Sequence, residues 1–237
     1  MTRLGAMIEV ENLQKTFHAR QNRPGILGAL RSLVKPDFYA LDALKGLSFQ
    51  LSPGERVAFI GPNGAGKSTT LKILSGILHP SGGTARVNGI VPWKQRKELA
   101  RYIGTVFGQR SQMWYHLPAR DTFELLGSAY DLDRPTYLRR LDELVSGFEI
   151  GDIIDKPVRQ LSLGQRMRCE IVASFLHKPS VLFLDEPTVG LDVAAKAIIR
   201  NLVRRAAAED GTTVLLTSHD TGDMEQVCDR VMVIHHG

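Results

Sequence analysis

The sequence predicts an α/β fold with a mostly parallel sheet, and two observations carry this prediction. Apolar runs at residues 181–184, 214–216 and 231–234 alternate with segments of helical pattern in the second half of the chain. A fourth apolar run, at residues 56–60, leads through a glycine-rich loop into another helical segment at 67–75. Continuous apolar runs of this length are typical of parallel strands that are covered on both faces.

Two further features complete the predicted architecture. Residues 7–13 and 46–51 alternate like strands, and Gly82-Gly83 marks a turn into a strand at 85–87, so we expect an N-terminal antiparallel β subdomain. From 124 to 148 the pattern is helical, with apolar positions Leu125, Leu126, Leu138, Leu141, Leu144 and Val145. We expect a helical subdomain at about 109–178, inserted into a single domain that spans residues 1–237.

Composition narrows the class of protein without deciding its function. The chain has 237 residues, of which 43% are hydrophobic, and no apolar run reaches the ~20 residues that cross a bilayer. We expect neither a spanning helix nor a signal peptide. The net charge of +5 suits nucleotide phosphates, an anionic membrane surface or nucleic acid equally well. Cys169 and Cys228 are far apart, so we expect reduced thiols rather than a disulfide or a metal pair.

A phosphate-binding loop follows the strand at residues 56–60. Glycines let the backbone approach phosphates closely, and the following helix offers its N–H groups to an anion. Lys67 should reach the β- and γ-phosphates, and the Ser68 hydroxyl should help to hold Mg²⁺. An ordinary glycine-rich turn is the alternative, but the strand–loop–helix setting favours a P-loop NTPase core. The candidate nucleotide-binding residues are Gly61, Pro62, Asn63, Gly64, Ala65, Gly66, Lys67, Ser68 and Thr69.

Two carboxylates end the strand at 181–184, where ligands gather in open α/β sheets. Asp185 is suited to Mg²⁺, often through water, because a hard cation prefers oxygen ligands. Glu186 is suited to orient and deprotonate an attacking water. A solvated strand end is the alternative interpretation. We expect the pair to meet Lys67 and Ser68 on a neighbouring strand.

A third motif, Leu161-Ser162-Leu163-Gly164-Gln165, precedes a helical run at 166–177. Ser162 can cap that helix, whose free N–H groups offer a second phosphate cradle. Alone the motif would be an ordinary N-cap. In company with the phosphate loop and the carboxylate pair, it makes the chain resemble the ATP-binding-cassette (ABC) ATPases over nearly its whole length. Their signature motif has this form, usually with Gly where Leu163 stands.

The resemblance implies roles for further residues. Phe17 matches the aromatic residue that stacks on adenine, with a core position as the alternative. Gln109 matches the glutamine that links Mg²⁺ and the attacking water to the transmembrane partner, and Gln112 lies close enough to be confused with it. Asp192, in Gly190-Leu191-Asp192, matches the loop that touches the opposite monomer. His219, after Thr217-Ser218, matches the switch histidine that contacts the γ-phosphate, although a surface role is common for such a histidine.

In the family two cassettes pair head to tail, so that Lys67 of one faces the signature motif of the other, and each ATP contacts both. The residues of that motif in this chain are Ser162, Gly164 and Gln165. The expected partners are therefore ABC transmembrane (permease) subunits and a second cassette, identical or homologous. No nucleic acid is expected, and the expected location is the cytoplasmic face of the plasma membrane. ATP and Mg²⁺ are the expected cofactors.

A finer resemblance comes from residues 106–118, which look like ATPases of ABC-2-type exporters, some of them described as drug or viologen exporters. Trp114 and Tyr115 could line the groove for a coupling helix or could pack the helical subdomain. The cargo stays open, because transported molecules bind the membrane subunits.

Two segments depart from the family pattern. A basic insert at about 18–36 could form an amphipathic helix, which would lie against the membrane surface, the membrane subunit or its own domain. Its apolar residues are Ile26, Leu27, Leu30, Leu33 and Val34. Gly237 ends the chain just after a strand, where family members normally continue, so we expect a truncated C-terminus.

Three functional classes follow. The first is the ATPase subunit of a membrane transporter, an exporter in particular. The second is a soluble ABC ATPase that acts on ribosomes or nucleic acid, but its relatives carry a second cassette, coiled coils or zinc modules that this sequence lacks. The third is a regulatory cassette that binds ATP without turnover, and the presence of Glu186 and His219 argues against it.

Overall fold

A computed structural model of the chain describes residues 5–20, 38–108, 111–235 and 237. The strands of these ranges are β1 (Ile8–Arg20), β2 (Phe38–Leu51), β3 (Arg56–Ile60), β4 (Gly82–Val87), β5 (Ile103–Phe107), β6 (Val181–Asp185), β7 (Thr213–Thr217) and β8 (Arg230–Val233). The helices are α1 (Lys67–Leu74), α2 (Arg96–Leu99), α3 (Ala119–Ala129), α4 (Arg134–Gly147), α5 (Leu163–Phe175), α6 (Val193–Asp210) and α7 (Thr221–Val227), with a 3₁₀ turn at Val158–Gln160.

The predicted parallel sheet is confirmed, and its five strands have the order β5-β6-β7-β3-β8. Successive residues of β6 point to opposite faces of the sheet. Leu182 packs with α5 and α6, while Phe183 packs with α1 and with the antiparallel sheet formed by β1, β2 and β4. One expectation was wrong. β8 is an edge strand that leaves Val231 and Val233 exposed, so it is not covered on both faces.

The predicted N-terminal antiparallel sheet is also confirmed, with the order β2-β1-β4. Its first two strands are longer than the alternation indicated, since β1 runs to Arg20 and pairs there with Phe38 of β2. Residues 18–20, at the start of the expected basic insert, belong to this strand. The rest of the insert and its proposed helix lie outside the described residues.

The helical stretch expected at 124–148 is two helices, α3 and α4, and the first begins at Ala119. They are separated where Asp131 takes a left-handed conformation and Asp133 caps α4 by accepting a hydrogen bond from the Thr136 amide at 3.0 Å. Leu125 and Leu138, expected to be apolar contacts, are exposed. The helix expected at 166–177 begins earlier, at Leu163. The domain boundaries drawn from the sequence stay predictions.

Two remaining expectations concern membranes and thiols. Among the described residues, we find no helix whose length and apolar character would let it span a bilayer. Cys169 and Cys228 are both free, and burial raises the pKa of each thiol to about 12. Both thiols are therefore protonated at neutral pH.

Candidate functional site

The phosphate loop joins β3 to α1 and is shaped by glycine at its last position. Gly66 has a φ of 101°, and a Cβ there would lie 2.6 Å from the carbonyl oxygen of Ala43 on β2. Only glycine fits this conformation and this close approach. The Lys67 side chain is buried, and its Nζ donates to the carbonyl oxygens of Gly61 at 2.7 Å and Pro62 at 3.1 Å. The ammonium group is thus held against the backbone of its own loop.

The N-terminus of α1 faces the same loop. Its capping residue, Gly66, has no side chain, and no acidic residue lies in the first turn. The first amides of a helix lack intrahelical acceptors and lie at the positive end of its dipole. Together with Lys67, these amides suit a bound phosphate, as predicted from the motif.

Ser68 is joined to the carboxylate predicted to sit beside it. Its Oγ donates to Oδ1 of Asp185 at 2.9 Å, and Oγ1 of Thr217 donates to the same oxygen at 2.7 Å. The two elements are not neighbours, however, because β7 lies between β3 and β6. The expectation of adjacent strands was wrong, and Thr217, on the intervening strand, was missed as a site residue.

Glu186 has an uncommon backbone conformation, with a φ of 52°. Its amide donates to the carbonyl oxygen of Thr217 at 3.0 Å and to Oγ1 of the same residue at 3.2 Å. Its carboxylate oxygen Oε1 lies 3.1 Å from Nε2 of His219, at the end of the next strand. Residues held in the left-handed region cluster at functional sites, where surrounding contacts maintain the strain.

The segment that leads to Gln109 reaches this site. The Gly108 amide donates to the Asp185 carbonyl oxygen at 3.0 Å, and a Cβ on Gly108 would lie 2.7 Å from the Glu186 carbonyl oxygen. A cavity lined by Phe107, Gly108, Ser68, Asp185 and Glu186 opens here. Gln109 itself lies outside the described residues, so its role stays a prediction.

The third motif forms the predicted cap. The Ser162 side chain accepts a hydrogen bond from the Gln165 amide at 3.2 Å, and Oε1 of Gln165 accepts from the Ser162 amide at 2.9 Å. This capping box occupies the Gln165 side chain. Asp192 is the N-cap of α6, and its Oδ1 accepts a hydrogen bond from the Ala195 amide at 2.8 Å.

Both of these helix starts line one cavity. Its walls include Ser162, Gly164, Gln165, Gly190 and Asp192. It shares no lining residue with the cavity at Ser68, Asp185 and Glu186. Within the described part of one chain, the motifs therefore lie at two separate cavities.

Comparison with known proteins agrees with this geometry. Residues 44–189 match the family described as ABC transporter. The chain belongs to the ABC transporter family. It is an ATP-binding domain of that family, and its fold is the ABC ATPase fold.

Named relatives extend the match. The "ABC transporter ATP-binding protein NatA" of Bacillus subtilis (strain 168) is 32% identical over 82% of this chain and 79% of NatA. The "Daunorubicin/doxorubicin resistance ATP-binding protein DrrA" of Streptomyces peucetius is 38% identical over 82% of this chain. The match covers 58% of DrrA, so this chain spans little more than half of that relative.

A solved structure matches almost the whole chain. Its description reads "Dimeric structure of a post-hydrolysis state of the ATP-binding cassette MJ0796 bound to ADP and Pi". The match has a TM-score of 0.80 and 26% identity, and it covers 98% of this chain and 95% of that one. That cassette is dimeric and holds hydrolysis products.

Phe17, the candidate adenine contact of this ABC cassette, lies on β1 opposite Leu41 of β2. Its ring is half-buried and is absent from both core clusters, and Nζ of Lys15 lies 5.0 Å from the ring centroid. Two residues further along β2, Ala43 contacts Gly66 of the phosphate loop. Phe17 therefore lies on the sheet that packs on the loop, and the adenine role stays a prediction.

Gln112, the other candidate for the linking glutamine, is bound to α5. Its side-chain Nε2 donates to the carbonyl oxygen of Glu170 at 3.2 Å, and its backbone N–H donates to Oε2 of the same residue at 3.2 Å. Ser111 Oγ donates to the other carboxylate oxygen of Glu170. Burial raises the pKa of Glu170, and these hydrogen bonds oppose that shift. Glu170 was missed in the sequence, because a single acid within a helical pattern gives no signal of burial.

Trp114 and Tyr115 lie between the cassette's β5 and α3, and their side chains are 46% and 55% exposed. About half of each residue is therefore buried, and packing on the helical subdomain stays an alternative to lining a groove. Exposed aromatic residues of this size are typical of contact sites for partner proteins.

Proposed function

We propose that this chain is the ATP-hydrolysing subunit that powers an ABC-2-type exporter. Family membership makes it an ABC ATPase, and the name of DrrA connects that relative with resistance to daunorubicin and doxorubicin. We interpret that resistance as export and extend this function to the present chain, while leaving its cargo open. The family match and these relatives favour transport over action on ribosomes or nucleic acid.

One observation carries the proposal of hydrolysis. Glu186 Oε1 lies 3.1 Å from His219 Nε2, and Glu186 shares its cavity with the Ser68–Asp185 hydrogen bond of 2.9 Å. Glu186 accepts a proton from the attacking water. His219 orients the Glu186 carboxylate and contacts the γ-phosphate. Lys67 and the first amides of α1 bind the β- and γ-phosphates.

The residues present fit a magnesium ion. Mg²⁺ is commonly bound through one or two carboxylates together with substrate phosphates, and it prefers oxygen ligands. Ser68 Oγ and Asp185 Oδ1 supply two such oxygens side by side. When bound there, the ion neutralises phosphate charge during hydrolysis.

We further propose that two cassettes complete each other's sites. The cavity at Ser68, Asp185 and Glu186 and the cavity at Ser162 are separate in one chain. A head-to-tail dimer brings the Ser162 helix N-terminus of one cassette to the ATP held by Lys67 of the other. The dimeric relative supports this arrangement.

The proposed membrane partner docks on the segment at Trp114 and Tyr115. This segment begins two residues after Gln112, which is hydrogen-bonded to α5, the helix that starts beside Ser162. A partner helix on these aromatic side chains would therefore contact the segment that follows Gln109. Such a subunit places the cassette on the cytoplasmic face of the plasma membrane.

Glu186→Gln tests the proposed chemistry. An amide cannot accept the proton of water, so we expect ATP binding to survive while hydrolysis falls at least ~10²-fold. With Mg-ATP the variant should accumulate as a dimer on size-exclusion chromatography. The matched control is Glu225→Gln, at an exposed acid on α7, which should hydrolyse ATP like the wild type.

Two outcomes would overturn parts of this proposal. Wild-type hydrolysis by Glu186→Gln would refute its role as the base. A wild-type chain that binds ATP without turnover, alone or with membrane proteins, would instead support the regulatory cassette.

A further inference from the structure

Asp223, on α7, is a fully buried carboxylate that no step of the proposed hydrolysis uses. Its Oδ1 accepts a hydrogen bond from Nε of Arg200 at 2.6 Å. Its Oδ2 accepts from Oγ1 of Thr188 at 2.6 Å and from Oγ of Ser218 at 2.5 Å. A buried carboxylate is tolerated only when it is paired and hydrogen-bonded, and Asp223 meets both conditions.

The two hydroxyl groups come from the two loops that carry the reacting side chains. Thr188 is two residues after Glu186, and Ser218 immediately precedes His219. Both hydroxyl residues are buried. The two loops are thus tied to one carboxylate oxygen, and the ends of β6 and β7 are bridged on the interior side of the site.

Arg200 fixes this carboxylate in turn. Its Nη2 lies 2.7 Å from Oδ1 of Asp220, and Nζ of Lys196 donates to Oδ2 of Asp220 at 2.7 Å. Gly222 packs on the guanidinium group, where a Cβ would lie 2.5 Å from Nη1. α6 therefore holds Asp223 in position through the buried ion pair between Arg200 and Asp223.

We propose that Asp223 is a positioning residue for ATP hydrolysis, which fixes the Glu186 loop against the His219 loop through Thr188 and Ser218. The inference rests on the proposed roles of Glu186 and His219. Misplacement of a reacting group by about 1 Å can cost about 10²-fold in rate. Nucleotide binding should be spared, because Lys67 donates to Gly61 and Pro62, and no hydrogen bond found among the described residues joins the phosphate loop to Thr188, Ser218 or Asp223.

Thr188→Val and Ser218→Ala test the proposal without leaving a buried charge unpaired. We expect kcat for ATP to fall about tenfold in each variant, with KM within about twofold of the wild type. Because both tethers are needed to hold the loops together, the double variant should lose little more than the worse single variant. Rates are divided by the ATP-binding stoichiometry of each preparation.

Asp210→Asn is the matched control. Asp210 is the last residue of α6, and it forms an ion pair with the buried Arg140 of α4, away from the site. We expect this control to lower Tm and to keep kcat per ATP-binding site. If the role of Asp223 were purely structural, Thr188→Val and Ser218→Ala would likewise lower Tm and keep kcat per ATP-binding site. That result would overturn the proposal.

Glu186→Gln, measured alongside, separates this inference from the proposed function. If Glu186→Gln is inactive while both hydroxyl variants keep wild-type kcat, only the positioning role of Asp223 is refuted. If Glu186→Gln remains active, the catalytic assignment fails, and the positioning role fails with it.

Discussion

His219 Nε2 lies 3.1 Å from Glu186 Oε1, and the register of the sheet explains this distance. Asp185 at the end of β6 is paired with Thr217 at the end of β7, so the residues that follow these two strands emerge at the same edge. The Glu186 side chain is 29% exposed and that of His219 is 44% exposed. The pair is therefore held by the backbone and is open to a ligand.

His219→Ala should slow hydrolysis strongly while sparing ATP binding. The variant loses the group that is proposed to orient Glu186 and to contact the γ-phosphate, and we expect kcat to fall roughly 10²-fold. Phosphate release and the binding of a fluorescent ATP analogue measure the two effects separately. His116→Ala, at an exposed histidine between β5 and α3, is the control. Equal losses in both variants would contradict a specific role of His219.

Lys67→Ala and Gln109→Ala should separate nucleotide binding from coupling to the partner. Lys67 is proposed to make a charge-assisted contact to phosphate, so its loss should weaken ATP binding by about 10–100-fold. Gln109→Ala should leave the affinity closer to that of the wild type and should chiefly reduce stimulation of hydrolysis by the membrane partner. Isothermal titration and ATPase assays of the assembled transporter test this division. Equal losses of affinity would refute it.

Local features of the site could be predicted from the sequence. The phosphate loop requires Gly66 in a left-handed conformation, and its neighbours Lys67 and Ser68 follow from the motif. The capping box at Ser162 and Gln165 follows equally from short-range hydrogen bonding. In both places the residues that interact are within a few positions of each other.

Long-range features could not be predicted. Thr188 and Asp223 are 35 positions apart, and nothing local to either residue indicates that they meet. The order of the parallel strands also places β7 between β3 and β6, which apolar runs alone do not reveal. The edge position of β8 was missed for the same reason, because an edge strand and a central strand can have the same composition.

Replacing Trp114 and Tyr115 together by Ala should weaken binding to the membrane partner. Both side chains are exposed, so the cassette itself should keep its Tm and its ATP affinity. Loss of two aromatic anchors at an interface should weaken association by about tenfold or more. Copurification with a multi-spanning membrane protein measures the effect. Tyr102→Ala, at another exposed aromatic residue, is the control.

The result also discriminates between classes of function. Undiminished copurification of the Trp114/Tyr115 double variant would place the docking site elsewhere on the cassette. Enrichment of ribosomes or DNA by the wild-type chain, without a membrane protein, would overturn the transporter assignment.

His177 is a partly buried histidine that should make the cassette sensitive to acid. Its ring stacks on Tyr130 with centroids 3.8 Å apart, and its Nε2 lies 3.0 Å from the carbonyl oxygen of Ile103. Burial lowers the pKa of His177 to about 4, from an ordinary value of 6.5. Between these two values the unfolded chain binds a proton at His177, while the folded chain leaves His177 neutral.

The free energy of unfolding should accordingly fall as the pH drops below 6.5 towards 4. Above this window His177 is neutral in both states, and within it only the unfolded chain gains the proton. We expect a loss of roughly 2–3 kcal/mol between about pH 7 and about pH 4.5 from this residue. His177→Gln can still donate to Ile103 but does not titrate, so urea unfolding should show a correspondingly shallower pH dependence. His116→Gln should keep the wild-type slope, and equal slopes for His177→Gln and the wild type would show that His177 does not cause the acid sensitivity.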